Sequence, residues 1–327
     1  MNKCPSCSNK NKKDAEFCEF CGYDLISKTQ AAGSSRLSDE EFMARIHKNY
    51  SQSMRFGVPG LFLILVFIIS FVLLDEDTMT ANQVVWLIII FVIAAACIGI
   101  GGYYQNKARK IFKINILQDA LAELFTDLQY KQDGHIEPER IREAGLIDDW
   151  NSFEGNDYIS GTYRGRIIEI SDIVLKRTGS GKNKSSTTLF RGQWMTCKMD
   201  KEIPAKLRVR ENGARGNVTT ENEAFNKQFQ ILADDPHYAF YVLTPHFMEF
   251  IVAADLAANG KTYYYFSGDT AHVAIHNYHD SFEIPVDKQA RSDLSLIREN
   301  IKKEMKYLTD ILDELLLNEY LFKKEAV

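Results

Sequence analysis

Residues 57–104 read GVPGLFLILVFIISFVLLDEDTMTANQVVWLIIIFVIAAACIGIGGYY. Two charge-free runs, 57–74 and 84–104, flank the acidic segment that begins Asp75-Glu76-Asp77. Each run is roughly 18–20 residues, about the length a helix rising 1.5 Å per residue needs to cross a hydrocarbon core of about 30 Å. A soluble helix that long carries a polar stripe, and these runs carry no charge at all. The first run lies beyond the window of a secretory signal peptide. The reading is a transmembrane hairpin over residues 56–104, with residues 75–83 as its turn.

The basic residues orient it. Arg45, Lys48 and Arg55 precede the first run, and Lys107, Arg109, Lys110 and Lys113 follow the second. The connecting segment has acids but no Lys or Arg. The positive-inside rule then places both termini in the cytoplasm of a cell (inner) membrane protein.

Outward from the hairpin, the N-terminus holds Cys4-Pro5-Ser6-Cys7 and Cys18-Glu19-Phe20-Cys21-Gly22. Two C-x-x-C turns about ten residues apart can close one tetrahedral thiolate shell. Cys4, Cys7, Cys18 and Cys21 are therefore the expected ligands of a structural zinc. Four protein ligands leave no open position for a catalytic water. Two disulfides or a redox C-x-x-C are the competing readings, and a reducing cytoplasm favours metal. Gly22 suits the tight turn after the second pair. The expected ribbon spans residues 1–26, too few to build an apolar core without metal.

Residues 27–37 (SKTQAAGSSRL) read as a flexible linker. Ser38-Asp39-Glu40-Glu41 matches a capping box and opens a juxtamembrane helix over 38–55. Ile114, Leu117, Leu121, Leu124 and Leu128 recur at three and four spacing, which predicts an amphipathic helix after the second span. These two stretches leave the same membrane face and read as a cytoplasmic stalk.

Residues 105–327 read as a cytoplasmic α+β domain with a mainly antiparallel sheet. Tyr158–Tyr163 and Arg166–Lys176 are strand-like, with Arg164-Gly165 as a tight hairpin turn. Thr187–Met199, Ala205–Arg210 and Phe229–Leu232 add strands. Thr262–Phe266 and His272–Asn277 predict a hairpin around Ser267-Gly268-Asp269. Asp234-Asp235-Pro236-His237 is a turn before a helix. Thr244-Pro245 starts another that ends at Asn259-Gly260. The chain closes on a helix with Leu294, Ile297, Ile301, Met305, Leu308, Leu312 and Leu315 on one face. That stripe packs within the chain or forms a homodimer.

The distal order resembles the bacterial membrane proteins grouped as domain of unknown function 3137. The resemblance rests on Gly179-Ser180-Gly181-Lys182-Asn183 before Thr188-Leu189-Phe190-Arg191-Gly192, and on Asp235 through Leu243-Thr244-Pro245 to Met248-Glu249. It covers most of residues 105–290. The ribbon separately resembles the short zinc ribbons that begin many bacterial membrane proteins. The resemblance implies a bacterial membrane protein and assigns no catalytic residue.

Other motifs yield little chemistry. Gly179-Ser180-Gly181-Lys182 lacks the earlier Gly and the following Ser or Thr of a P-loop. Lys176, Arg177, Lys182 and Lys184 form a basic hairpin tip, a solvated loop or a contact for anionic headgroups. His272 and His276 on one strand lie about 13 Å apart, too far to share an ion. Tyr263-Tyr264-Tyr265-Phe266 alternates across a sheet, half in and half out. Cys97 and Cys197 sit in no activating motif. A formal net charge of −5 argues against a generic polyanion binder. The expected function is a non-enzymatic membrane protein that binds cytoplasmic protein partners. The alternatives are a membrane-tethered enzyme and a zinc-ribbon nucleic-acid binder. For the last, Lys3, Lys10, Lys12 and Lys13 are offset by Asp14, Glu16, Glu19 and Asp24.

Overall fold

The computed structural model describes residues 2–26 except 6, 8, 14, 22 and 24, then 39–73, 80–179, 185–279 and 294–319. Gly22, the 27–37 linker, Ser38, residues 74–79 and the loop residues Lys182 and Lys184 lie outside this set. The chain divides into two compact units, Met1–Asn115 and Ile116–Val327.

In the first unit, β1 (Asn2–Lys3) and β2 (Lys10–Asn11) form a small antiparallel hairpin. Two long helices follow, α1 (Asp39–Leu73) and α2 (Ala81–Leu121), both long and apolar enough to cross a membrane. Asp39, Glu40 and Glu41 occupy the first turn of α1, where the helix dipole favours acids. The two helices pack on each other: Phe42 meets Phe112 with ring centroids 5.7 Å apart, and Phe56 stacks on Tyr104 at 6.3 Å. Within the apolar part the helices close through glycine. A Cβ on Gly60 would lie 2.8 Å from Ile98 Cγ1, and one on Gly101 would lie 3.0 Å from the Gly57 nitrogen. Small residues let backbones approach in lipid, where packing replaces the hydrophobic effect. Leu61, Phe62, Leu65, Val72, Trp86, Ile88 and Phe91 face outward and exposed.

The second unit corrects the stalk. α2 ends at Leu121, and β3 (Thr126–Lys131) follows where the helix was expected to run on to Leu128. Leu128 and Tyr130 are buried while Asp127 and Gln129 are exposed, a period of two that the preceding leucines mask.

The remaining elements are α3 (Pro138–Ala144), β4 (Ser152–Tyr163), β5 (Arg166–Thr178), β6 (Ser186–Glu211), α4 (Glu223–Gln228) and β7 (Phe229–Ala233), then α5 (Pro236–Val242), α6 (Pro245–Ala258), β8 (Lys261–His276) and α7 (Leu294–Glu319). Strands β3 to β8 make one antiparallel six-stranded sheet in the order β3-β4-β5-β6-β7, with β8 also on β6. Arg164 and Gly165 turn β4 into β5 with φ of 46° and 82°, the left-handed pair of a type I′ hairpin.

Two strand expectations are overturned. Thr187–Met199 and Ala205–Arg210 are not separate strands; they belong to the single β6. The expected hairpin at Ser267-Gly268-Asp269 does not form either. The residues on both sides belong to β8 and pair along β6, from Gly192 opposite His276 to Arg210 opposite Tyr263. Gly268, at φ 57°, bends β8 opposite the register shifts of β6 between Lys198 and Leu207. The turn chemistry is absorbed as a bulge because both flanks find partners on one strand.

Both faces of the sheet are covered. On one, Ile136, Ile141, Leu146 and Trp150 from the α3 region meet Ile173, Phe190, Trp194, Tyr263 and Tyr265. On the other, α6 sets Phe247 edge-on to Tyr264 and Phe266. The alternation of Tyr263–Phe266 is therefore real, but neither half is exposed. Thr244 caps α6 by accepting from the Phe247 N–H at 3.2 Å, and Asn259 ends it in the left-handed region. Asp235 caps α5 by accepting from His237 N–H. The stripe of α7 is buried within this unit, with Met305, Leu308 and Leu312 fully inside. Tyr307 donates to the Ala254 carbonyl at 2.8 Å, and Arg298 pairs with Asp119 at 3.0 Å.

Candidate metal centre

The Cys4, Cys7, Cys18 and Cys21 sulfurs all lie within 4.8 Å of one another, and all four residues are buried. Cys4 Sγ is 3.6 Å from Cys21 Sγ, and Cys7 Sγ is 3.6 Å from Cys18 Sγ. Tetrahedral zinc with bonds near 2.3 Å separates its sulfurs by about 3.8 Å, whereas a disulfide holds them at about 2.05 Å. The spacing fits a shared ion and the cysteines are unbridged. No carboxylate or imidazole joins the set.

The β1–β2 hairpin and the turn after β2 build this geometry. Cys4 N–H donates to the Asn9 carbonyl at 2.9 Å, and Cys18 N–H donates to the Tyr23 carbonyl at 2.8 Å. Asn9 Nδ2 reaches Cys7 Sγ and Asn11 Nδ2 reaches Cys18 Sγ, each at 3.4 Å. Such amide donors stabilise sulfur-borne charge and orient the thiols. Asn11 Oδ1 also accepts from Glu19 N–H at 2.9 Å, pinning the second turn. Neither asparagine stood out in the sequence; the legible trace is only an amide two residues after Cys7 and another at 11. Contact with Cys21 holds the Cys18 thiol down, and the same contact with Cys18 pushes Cys21 up. Thiols this close cannot all ionise unless a cation balances them.

The second turn also touches the helices of its own unit. Lys107 Nζ binds Glu19 Oε2 at 2.7 Å and stands 5.7 Å over the Phe20 ring. Asn115 Nδ2 donates to the Phe20 carbonyl at 2.6 Å, and Arg45 Nη1 donates to the Glu19 carbonyl at 3.3 Å. In the sequence Arg45 and Lys107 show only as part of the charge asymmetry.

The other residues singled out in the sequence come to structural posts. Lys176 pairs with Glu154 and Arg177 with Asp149, both at 2.6 Å, so two cations of the basic tip are already matched. His272 Nδ1 accepts from Trp194 Nε1 at 3.2 Å, and His276 Nδ1 accepts from Arg191 N–H at 2.9 Å. Burial pushes His272 down to about 3 and lowers His276 as well. Cys197 is buried in β6. Glu169 accepts from Arg140, Tyr158 and Thr196 in one satisfied network. Burial, with the Asp255 carboxyl beside it, pushes Glu211 up to about 7, while Asp255 accepts from Thr262 and Gln228. Among the described residues, no other group of three or more metal-ligating side chains comes together.

Comparison with known proteins adds little chemistry. A family described as "Protein of unknown function (DUF3137)" matches residues 188–317, a shorter and more C-terminal stretch than the expected 105–290. No curated protein matches the chain. Among solved structures, the crystal structure of the mycobacterial trehalose monomycolate transport factor A, TtfA, is similar at 11% identity and a TM-score of 0.32. That match covers 58% of this chain and 93% of the other.

Proposed function

We propose that the chain is a two-span bacterial inner-membrane protein with both termini in the cytoplasm, whose zinc ribbon and sheet unit serve protein interaction or assembly. The observation that carries the reading is the buried four-cysteine cluster at the head of a chain with two membrane-length apolar helices. A closed thiolate shell is a structural device, and zinc is the metal that tetrahedral sulfur most often selects. The Lys/Arg asymmetry across the two helices supports the orientation, and thiolates that must stay reduced support it independently. In the sheet unit, Glu169, His272 and Asp255 are engaged by neighbouring side chains, which suits a scaffold better than a reaction centre.

The test is a crosslinking pull-down from native membranes using the full chain and a chain lacking residues 1–27. Loss of specific cytoplasmic protein partners on truncation is the expected result. Identical partners with and without the ribbon would remove it from the interaction.

A further inference from the structure

We infer that the turn Cys18-Glu19-Phe20-Cys21 is a metal-dependent clasp joining the two helices of the stalk. The inference rests on reading the four-cysteine cluster as a metal centre. The turn lies between two ligands, so an ion held by Cys18 and Cys21 sets the direction of the groups between them. Those groups are the ones that meet the helices. Glu19 receives Arg45 from α1 through its carbonyl at 3.3 Å and Lys107 from α2 through its carboxylate at 2.7 Å. The Phe20 carbonyl receives Asn115 from α2 at 2.6 Å. A single two-residue turn thus bridges α1 and α2 with three hydrogen bonds. On its ribbon side, Asn11 ties Glu19 N–H to a ligand sulfur by accepting from one and donating to the other.

A ribbon this small has no core of its own, so without metal the turn loses its fixed shape. Lys107 then loses the Glu19 carboxylate, Asn115 keeps only its bond to the Ile111 carbonyl of its own helix, and the bridge from α1 to α2 opens. Linkage makes the effect reciprocal: whatever metal does for the clasp, the clasp does for metal affinity. Removing Lys107 must therefore weaken metal binding even though Lys107 is not a ligand. Simple electrostatics predicts the opposite sign, because deleting a cation beside a thiolate cluster favours a bound cation. The sign of the change separates the two accounts.

The experiment uses the full chain in detergent, with zinc affinity read by chelator competition and stalk protection by hydrogen exchange. The variants are Lys107→Met, Asn115→Leu and the charge exchange Glu19→Lys with Lys107→Glu. Each single variant is expected to keep one zinc per chain at saturation, to bind it about tenfold more weakly, and to exchange faster over 42–50 and 107–115. The charge exchange restores both measurements towards wild type. Removing zinc from the wild type raises exchange over the same two segments. Unchanged or tighter zinc affinity in Lys107→Met, or stalk exchange indifferent to zinc, overturns the clasp. A wild-type chain that holds no stoichiometric metal overturns the metal reading itself, an outcome distinct from the other two.

Discussion

Cys18 concentrates the consequences of one side chain. It belongs to the four-cysteine cluster, it receives Asn11 Nδ2, and it begins the turn that meets the helices. Cys18→Ser should abolish stoichiometric zinc and leave residues 2–26 open to protease, while the melting of the sheet unit stays unchanged. Metal analysis and limited proteolysis check the first two, and thermal unfolding the third. His272 makes a pH prediction. Its folded value is lowered by burial to about 3, below the 6.5 of an exposed imidazole, so the unfolded state binds the extra proton between those values. Its contribution is complete above about pH 6.5 and is lost as pH falls towards 3. His272→Gln can still accept from Trp194, and it should flatten the stability-versus-pH slope over that window by about one proton. An unaltered slope means His272 is not held neutral.

At the scale of elements, the β6–β8 pair and α7 carry the sheet unit. Gly192 sits where β6 meets the end of β8, at φ 153°, and a Cβ there would fall 2.0 Å from the Ile275 carbonyl oxygen. Gly192→Ala should cost about 2–4 kcal/mol, because the obstacle is backbone and cannot rotate away. Denaturant unfolding measures it. The α7 stripe tests packing rather than strain. Leu308 is fully buried among the residues of its own unit. Leu308→Glu places a carboxylate where nothing compensates it and should destabilise the unit by about 3–5 kcal/mol. A mutant with normal stability would mean that the stripe is not buried in solution.

For the whole molecule the prediction concerns the orientation that the proposed function assigns to the two apolar helices. The basic residues cluster outside the two apolar runs, and the segment between the runs is acidic. A cysteine placed at Thr80 should react with an impermeant thiol reagent in intact cells. One placed at Ser185 should react only after lysis. The reverse pattern would invert the topology and with it the argument for reduced thiols.

Some of this was legible in the residues themselves. The two C-x-x-C pairs, the uncharged runs, Arg164-Gly165 and Thr244-Pro245 are local signals, set by side-chain chemistry and backbone preference within a few positions. The structure places the cysteines together, makes the runs helical, and turns the chain or caps the helix where these pairs stand. Other features depended on distant partners. Ser267-Gly268-Asp269 has the composition of a turn, yet it bends one strand because residues on both sides of it pair with β6. Leu124 and Leu128 continue a helical spacing, yet Leu128 belongs to β3, which pairs with β4, from Thr126 opposite Thr162 to Lys131 opposite Tyr158. Tyr263–Phe266 alternates as expected, and only the covering of both sheet faces decides that all four are buried. Asn9, Asn11 and Asn115 carry no signature in one dimension, and Lys107 shows there only as a charge, since a hydrogen-bonding role is defined by what lies opposite. The sequence by itself determined the chemistry of the four clustered thiols and the membrane length of the helices, because both follow from residue type and local spacing. Tertiary structure decided strand continuity, burial and the contacts of the Glu19–Phe20 turn, because each is a choice among partners that only the folded chain brings within reach.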